Sequence, residues 1–205
     1  MREAGCDVRR KCGPEMGNGR FESHPEVRQV MREGAEENQI FKALSILLQY
    51  PDRELLAGLQ QLRETVQGFS RTTAISVCDR FLAYLESNPL IKLQEEYTRT
   101  FDLNAETCLN LSFHRFGDSR ERGPALAHLN QLYKAAGWEI LTGELPDYLP
   151  LMLEFAFVGP GSARNEVLAL YREEIGGLFE RLKAQESPYA HLIELVLSLS
   201  HQSSF

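Results

Sequence analysis

From Ile40 onward the large apolar residues of this chain recur three and four positions apart and never alternate in twos, which confines it to packed helices. Ile40, Phe41, Leu44, Leu47 and Leu48 form a first stripe. It ends at Tyr50-Pro51, because the residue before a proline is driven out of helical backbone. Asp52 stands where it can cap a second helix carrying Leu55, Leu56, Leu59, Leu62 and Val66, with Gly68 as its stop. A third helix, from about Thr72 to Glu86, presents Ile75, Cys78, Phe81, Leu82 and Leu85. Asn88-Pro89 separates it from a fourth with Leu93, Tyr97 and Phe101.

Residues 102–118 read as the longest loop, with Asn104, Asn110 and Gly117 supplying turn chemistry. A fifth helix runs from about Arg122 to a stop at Gly137, with Leu126, Leu129, Leu132 and Tyr133 on its stripe. Leu149 to Val158 is nearly continuous apolar sequence, the length of a buried core helix, closed by Gly159-Pro160-Gly161. A seventh helix carries Val167 to Leu182, weakened at Gly176-Gly177 by about 1 kcal/mol per glycine. The last follows Ser187-Pro188, a cap with a first-turn proline. The pattern predicts an all-α fold: a single globular domain of about eight helices over residues 34–205 with no strand. Residues 1–33 hold too few large apolar side chains to offset the entropy of ordering, so a mobile tail is expected there.

The net charge of −7 and a pI near 5.3 argue against nucleic acid as a partner, since phosphate binding relies on clustered cations. A basic peptide suits an acidic chain better. Cys6, Cys12, Cys78 and Cys108 match neither a CxxC pair nor a zinc-finger spacing and read as reduced thiols of a cytoplasmic protein. No apolar run reaches the roughly 18 to 20 residues of a membrane span. Arg9-Arg10 leads into Lys11-Cys12-Gly13-Pro14 and not into a signal core, so neither stable membrane insertion nor export is expected.

Catalytic chemistry has no visible carrier. His24, His114, His128, His191 and His201 are dispersed, and His191 to Glu194 is one reversed pair where a helical di-iron site needs two Glu-x-x-His motifs. Phosphate-cradling glycine loops and a nucleophile elbow are both missing, so neither an enzyme nor a bound metal or other cofactor is expected. Two charge-dense stretches remain: Gly117-Asp118-Ser119-Arg120-Glu121-Arg122-Gly123 and Glu144-Leu145-Pro146-Asp147-Tyr148-Leu149-Pro150. At their simplest, Asp118 and Ser119 would cap the helix that follows.

These stretches, preceded by Gln94-Glu95-Glu96-Tyr97-Thr98-Arg99-Thr100-Phe101-Asp102 and continued through Leu151-Met152-Leu153-Glu154-Phe155, resemble the NarJ family, the nitrate reductase delta subunit or molybdenum cofactor assembly chaperone. The resemblance runs from about Ile40, with an opening Phe-Lys-Ala-Leu-Ser-Ile-Leu-Leu-Gln-Tyr-Pro segment, to about His201. The N-terminal tail matches no family pattern, and Cys108 to His114 is a divergent form of the loop before Gly-Asp-Ser-Arg. The resemblance implies an all-helical cytosolic chaperone that binds the N-terminal leader-like segment of a molybdoenzyme catalytic subunit, keeps it competent for cofactor insertion and delays its docking to a membrane anchor. Its partner would be the catalytic subunit of a nitrate reductase, and the chaperone itself monomeric or weakly self-associating.

A leader of basic and apolar residues asks for an apolar groove flanked by carboxylates. Tyr97, Phe101, Leu145, Tyr148 and Phe155 are the candidate wall, and Asp102, Glu144, Asp147 and Glu154 the acidic guides. Exposed ion pairs contribute only about 0 to 1 kcal/mol each against about 8 kcal/mol for micromolar binding, so apolar burial has to carry the affinity. Asp118, Ser119, Arg120, Arg122, Gly123, Pro146 and Pro150 form the structural motif beside the groove. Arg120 and Arg122 either pair internally with Asp102, Asp118, Glu144 or Asp147, which a carboxylate-rich neighbourhood favours, or face an acidic patch or cofactor phosphate of the client. Three alternatives stay open. The client could be a selenate, chlorate or dimethyl sulfoxide reductase, the charged cluster could serve acid-base or phosphate chemistry, or the motifs could only fix helix packing.

Overall fold

In the computed structural model, which describes residues 8–10 and 25–200, the apolar stripes become eleven helices among the described residues. They are α1 (Pro25–Leu47), α2 (Arg53–Ala57), α3 (Leu59–Gln67), α4 (Thr72–Glu86), α5 (Leu90–Tyr97), α6 (Leu111–Phe116), α7 (Arg122–Ala135), α8 (Leu149–Val158), α9 (Gly161–Leu170), α10 (Arg172–Ala184) and α11 (Ala190–Leu199). Three differences separate eleven from the expected eight. The second helix breaks at Gly58, which closes α2 and opens α3. The seventh breaks at Tyr171, whose φ of −117° and ψ of 20° lie outside helical backbone. Residues 102–118, expected to be loop, contain α6.

Two short strands also depart from the expectation of none: β1 (Val8–Arg10) and β2 (Trp138–Ile140) pair antiparallel. Three-residue strands are too short for alternation to register in sequence. β1 and the first turns of α1 fall within residues 1–33. The rest of the expected tail, residues 1–7 and 11–24, lies outside the described residues.

α8 owes its central place to being apolar on nearly every side, with Glu154 its one charged residue. Leu149, Leu151, Met152, Leu153, Phe155 and Ala156 are all fully buried. α1 packs along it, and the Ser45 hydroxyl donates to the Pro150 carbonyl at 2.8 Å, a buried side-chain bond that ties the first turn of α8 to α1. α10 packs on α11, and α11 on α4. An aromatic chain locks that side. Tyr97 lies 4.8 Å from Phe101, and Phe101 and Phe81 lie 4.8 and 4.9 Å from Tyr189, in edge or tilted geometries that ring quadrupoles favour. A π-helical turn over Thr98–Asp102 closes α5 and holds Phe101 in this cluster.

Caps here are partly tertiary. Asp52 caps α2 as its position suggests, accepting from the Leu55 N–H at 2.8 Å. α4, by contrast, opens on a carboxylate from another helix: Glu36 of α1 accepts from the Ser70 and Arg71 N–H groups, both at 2.8 Å. At the far end of α8, Gly159 lies so close to the preceding turn that an added Cβ would stand 2.8 Å from the Phe155 ring and carbonyl. Gly159→Ala is therefore expected to destabilise the fold by about 1 to 3 kcal/mol, the usual range for overpacking, with urea denaturation as the measurement.

Candidate functional site

The charge-dense stretches meet at Asp147, a carboxylate with no solvent exposure. Its Oδ2 accepts from the Ser112 hydroxyl at 2.6 Å and the Ser112 N–H at 3.0 Å, and Oδ1 accepts from Asn110 Nδ2 at 3.2 Å. Arg122 supplies the countercharge, with Nη2 3.5 Å from Oδ2, Nε donating to the Ser112 hydroxyl at 3.0 Å, and its guanidinium over the Phe113 ring. The backbone joins in: Leu111 N–H donates to the Asp147 carbonyl and Leu149 N–H to the Leu109 carbonyl, at 3.0 and 2.9 Å. Around this junction the Tyr133 hydroxyl donates to the Pro146 carbonyl at 2.8 Å, and the Tyr97 and Tyr148 hydroxyls meet at 3.1 Å. A buried charge persists only when paired and hydrogen-bonded, and here both conditions are met.

Two further contacts fasten α6 to α10. Arg115 binds Glu174 in a two-pronged pair, at 2.5 and 2.8 Å, and reaches the Leu170 carbonyl at the α9 end. His114 takes a hydrogen bond on Nδ1 from Arg181 at 3.1 Å, so the proton on Nε2 goes to the Cys108 carbonyl at 2.8 Å. Burial, aided by the Arg181 charge, pushes His114 below the ordinary imidazole value, although the Cys108 hydrogen bond opposes the shift. Burial likewise raises the Cys108 thiol and pushes Cys78 up to about 12, so both stay protonated and poorly nucleophilic near neutrality. Among the described residues no three His, Cys, Asp or Glu side chains converge as a metal site.

An open concavity lies elsewhere, between the C-terminal half of α1, α2–α3 and the end of α8, with a volume of about 530 Å³. Ile46, Tyr50, Leu55, Leu62, Phe157 and Val158 give it apolar walls. Its charged lining is one cation, Lys42, against Asp52, Glu54 and Glu154. Lys42 is drawn over the Phe157 ring, 4.9 Å from its centre, which leaves the acidic groups to set the sign of the rim. Such a trough suits an amphipathic basic segment better than a reaction needing convergent acid, base and nucleophile.

The family description that matches residues 55–192 is the nitrate reductase delta subunit. Among curated relatives, the Bacillus subtilis (strain 168) protein named Probable nitrate reductase molybdenum cofactor assembly chaperone NarJ is 35% identical over 77% of this chain and 86% of its own length. The chain belongs to the nitrate reductase delta subunit family. A second member, Nitrate reductase molybdenum cofactor assembly chaperone NarJ of Escherichia coli (strain K12), is 33% identical over 77% of this chain and 68% of its length. A crystal structure assigned to a redox enzyme maturation protein of Archaeoglobus fulgidus shares the fold, with a TM-score of 0.58, 19% identity, and coverage of 89% of this chain and 98% of that one.

Within this delta-subunit fold the residues expected to bind peptide scatter. Tyr97, Phe101 and Phe155 are core residues, and Asp147 is wholly engaged at the junction, so none of the four presents a surface where the expected groove wall was drawn. Tyr148 is half-buried against Tyr97, while Asp102, Glu144 and Leu145 are exposed and none of them lines the concavity. Glu154 does line it. In the structural motif, Arg122 pairs internally with Asp147, whereas Arg120 is exposed and forms no ion pair among the described residues. Asp118 and Ser119 do not cap α7, whose N-terminus receives no side-chain cap from the residue before it. Gly123 sits exposed in the first turn with open space where a Cβ would be, so it is not demanded by packing. Pro146 and Pro150 serve through their carbonyls.

Missed by sequence as site residues were Ser112, Asn110 and Tyr133, partners whose types carry no signal until the chain is folded, and the trough residues of α1 and α8 other than Glu154. Ile46 and Phe157 stand off the most buried stripe of their helices, the one hint that was available.

Removing the Asp147 carboxylate strands Arg122, Ser112 and Asn110 together. Asp147→Ala is expected to cost roughly 3 to 5 kcal/mol in urea denaturation, the range for breaking a buried pair, and Asp147→Asn less, because its shape and part of its accepting capacity remain. His114 gives a pH dependence of fixed sign: its folded value lies below the ordinary 6.5, so the unfolded chain takes the proton first and stability falls as pH drops through and below 6.5. His114→Gln should flatten that part of a melting temperature versus pH profile.

Proposed function

We infer that this chain is a dedicated assembly chaperone for a nitrate reductase and not a catalyst. It acts on the molybdenum-containing catalytic subunit, supporting cofactor insertion before the enzyme is assembled. The observation that carries this is family membership, with relatives named as nitrate reductase molybdenum cofactor assembly chaperones at 33–35% identity along most of the chain.

The N-terminal leader-like segment of the catalytic subunit is proposed to lie in the trough of α1, α2–α3 and α8, apolar face down and basic residues toward Glu54 and Glu154. Charge complementarity speeds and orients the encounter, while burial against Ile46, Leu55 and Phe157 supplies most of the affinity. The Asp147 junction holds α6, α7 and the start of α8 in register behind it and touches no client. The protein works in the cytoplasm, where the subunit is made. No described helix is long and apolar enough to cross a membrane.

Calorimetric titration with synthetic N-terminal peptides of nitrate reductase catalytic subunits tests this. Tyr50→Ala with Phe157→Ala is expected to weaken binding at least tenfold with little change in melting temperature. Asp147→Asn should do the reverse. Raising salt from 50 to 500 mM should slow association more than it weakens the complex. A peptide that binds the trough variant as tightly as the intact chain would place the site elsewhere.

A further inference from the structure

β2 is the element that the helical architecture does not require. Gly137, at φ 86°, turns the chain out of α7 into Trp138–Ile140, and the loop beyond exposes Leu141 and Leu145. A lone strand leaves backbone N–H and C=O groups along its outer edge, and such an edge recruits another strand. The recruit comes from the opposite end of the sequence. Val8 stands opposite Ile140, Arg9 opposite Glu139 and Arg10 opposite Trp138, and β1 also runs beside α8. Arg9-Arg10-Lys11 is the longest run of consecutive cations in the chain, and the register sets its first position, Arg9, opposite an acidic one. Opposite charges at directly opposed positions favour one register over its neighbours.

We propose that the outer edge of β2 is a strand-addition site for extended basic segments, kept filled in cis by the chain's own Val8–Arg10, and that an extended basic stretch of the client, adjoining the part seated in the trough, displaces this strand. The displacement half rests on the chaperone reading above; the strand-addition half does not. A three-residue ladder is short enough to open readily. A competitor in trans nevertheless has to overcome the covalent link that keeps Val8–Arg10 in the same chain as β2. Between clients the covered edge also protects the protein from pairing edge to edge with a second copy.

Successive N–H groups of a strand point to alternate sides, so one of Val8→Pro and Arg9→Pro, each made in the full chain, removes a ladder donor. The amides of Trp138–Ile140 are expected to exchange hydrogen at least tenfold faster in that variant, with helical circular dichroism unchanged. A labelled peptide with the sequence of residues 4–12, its two cysteines replaced by serine, should bind that variant at least tenfold tighter than the intact chain. Reversing its two arginines to glutamate should abolish the gain. Unchanged exchange in both proline variants, or peptide binding indifferent to the charge reversal, overturns strand addition. Tighter binding of a nitrate reductase N-terminal peptide to the proline variant supports displacement, and equal affinity for variant and intact chain overturns it. Absence of binding to either sinks the chaperone reading and the displacement half together, while the exchange and peptide measurements still decide strand addition.

Discussion

A carboxylate sealed from water must be answered by the groups around it, and Asp147 imposes that condition on three segments at once. The loop before α6 answers with Asn110, α6 with Ser112, and α7 with Arg122. The segment carrying Asp147 leads directly into α8, so the same contacts that neutralise the charge also set where α8 enters the core. With α8 placed, α1 packs on it and Ser45 closes on the Pro150 carbonyl. The trough between α1, α2–α3 and α8 is a consequence of that packing.

The proposed division of labour between the Asp147 junction as support and the trough as peptide site is physical. Buried polar networks are costly to disturb, because each lost partner strands another in low dielectric, so they suit a fixed support. A surface that takes and releases a peptide needs the opposite: half-buried apolar side chains and exposed carboxylates whose pairs are individually weak. The chain keeps the two apart. Its most charge-dense motifs went to the support, and the trough was left with plainer residues such as Gln39, Ile46 and Thr65.

Much of the helical layout was legible because burial and periodicity are local properties. Leu149 to Val158 could only be central, Asp52 could only cap, and Gly68, Gly137 and Gly159 stand where helices stop. The breaks at Gly58 and Tyr171 were not legible, since the apolar stripe runs through both. α6 hid in a polar-looking loop because its six residues are too few to show a period. β1 and β2 were hidden for the same reason, and each is a strand only by virtue of the other.

The amino-acid order alone determined that this chain is a helical bundle of the delta-subunit kind, since a stripe at three- and four-residue spacing and three motifs in order are properties of sequence. Whether a given acidic or aromatic residue faces water was decided only in three dimensions. Asp147 and Glu144 lie in one short motif, yet one is fully buried and the other exposed. Arg120 is exposed, whereas Arg122 is half-buried against Asp147. The reason is that burial of a polar side chain depends on partners drawn from distant segments, 10 to 37 residues away for Ser112 and Asn110, and no local pattern encodes who those partners will be.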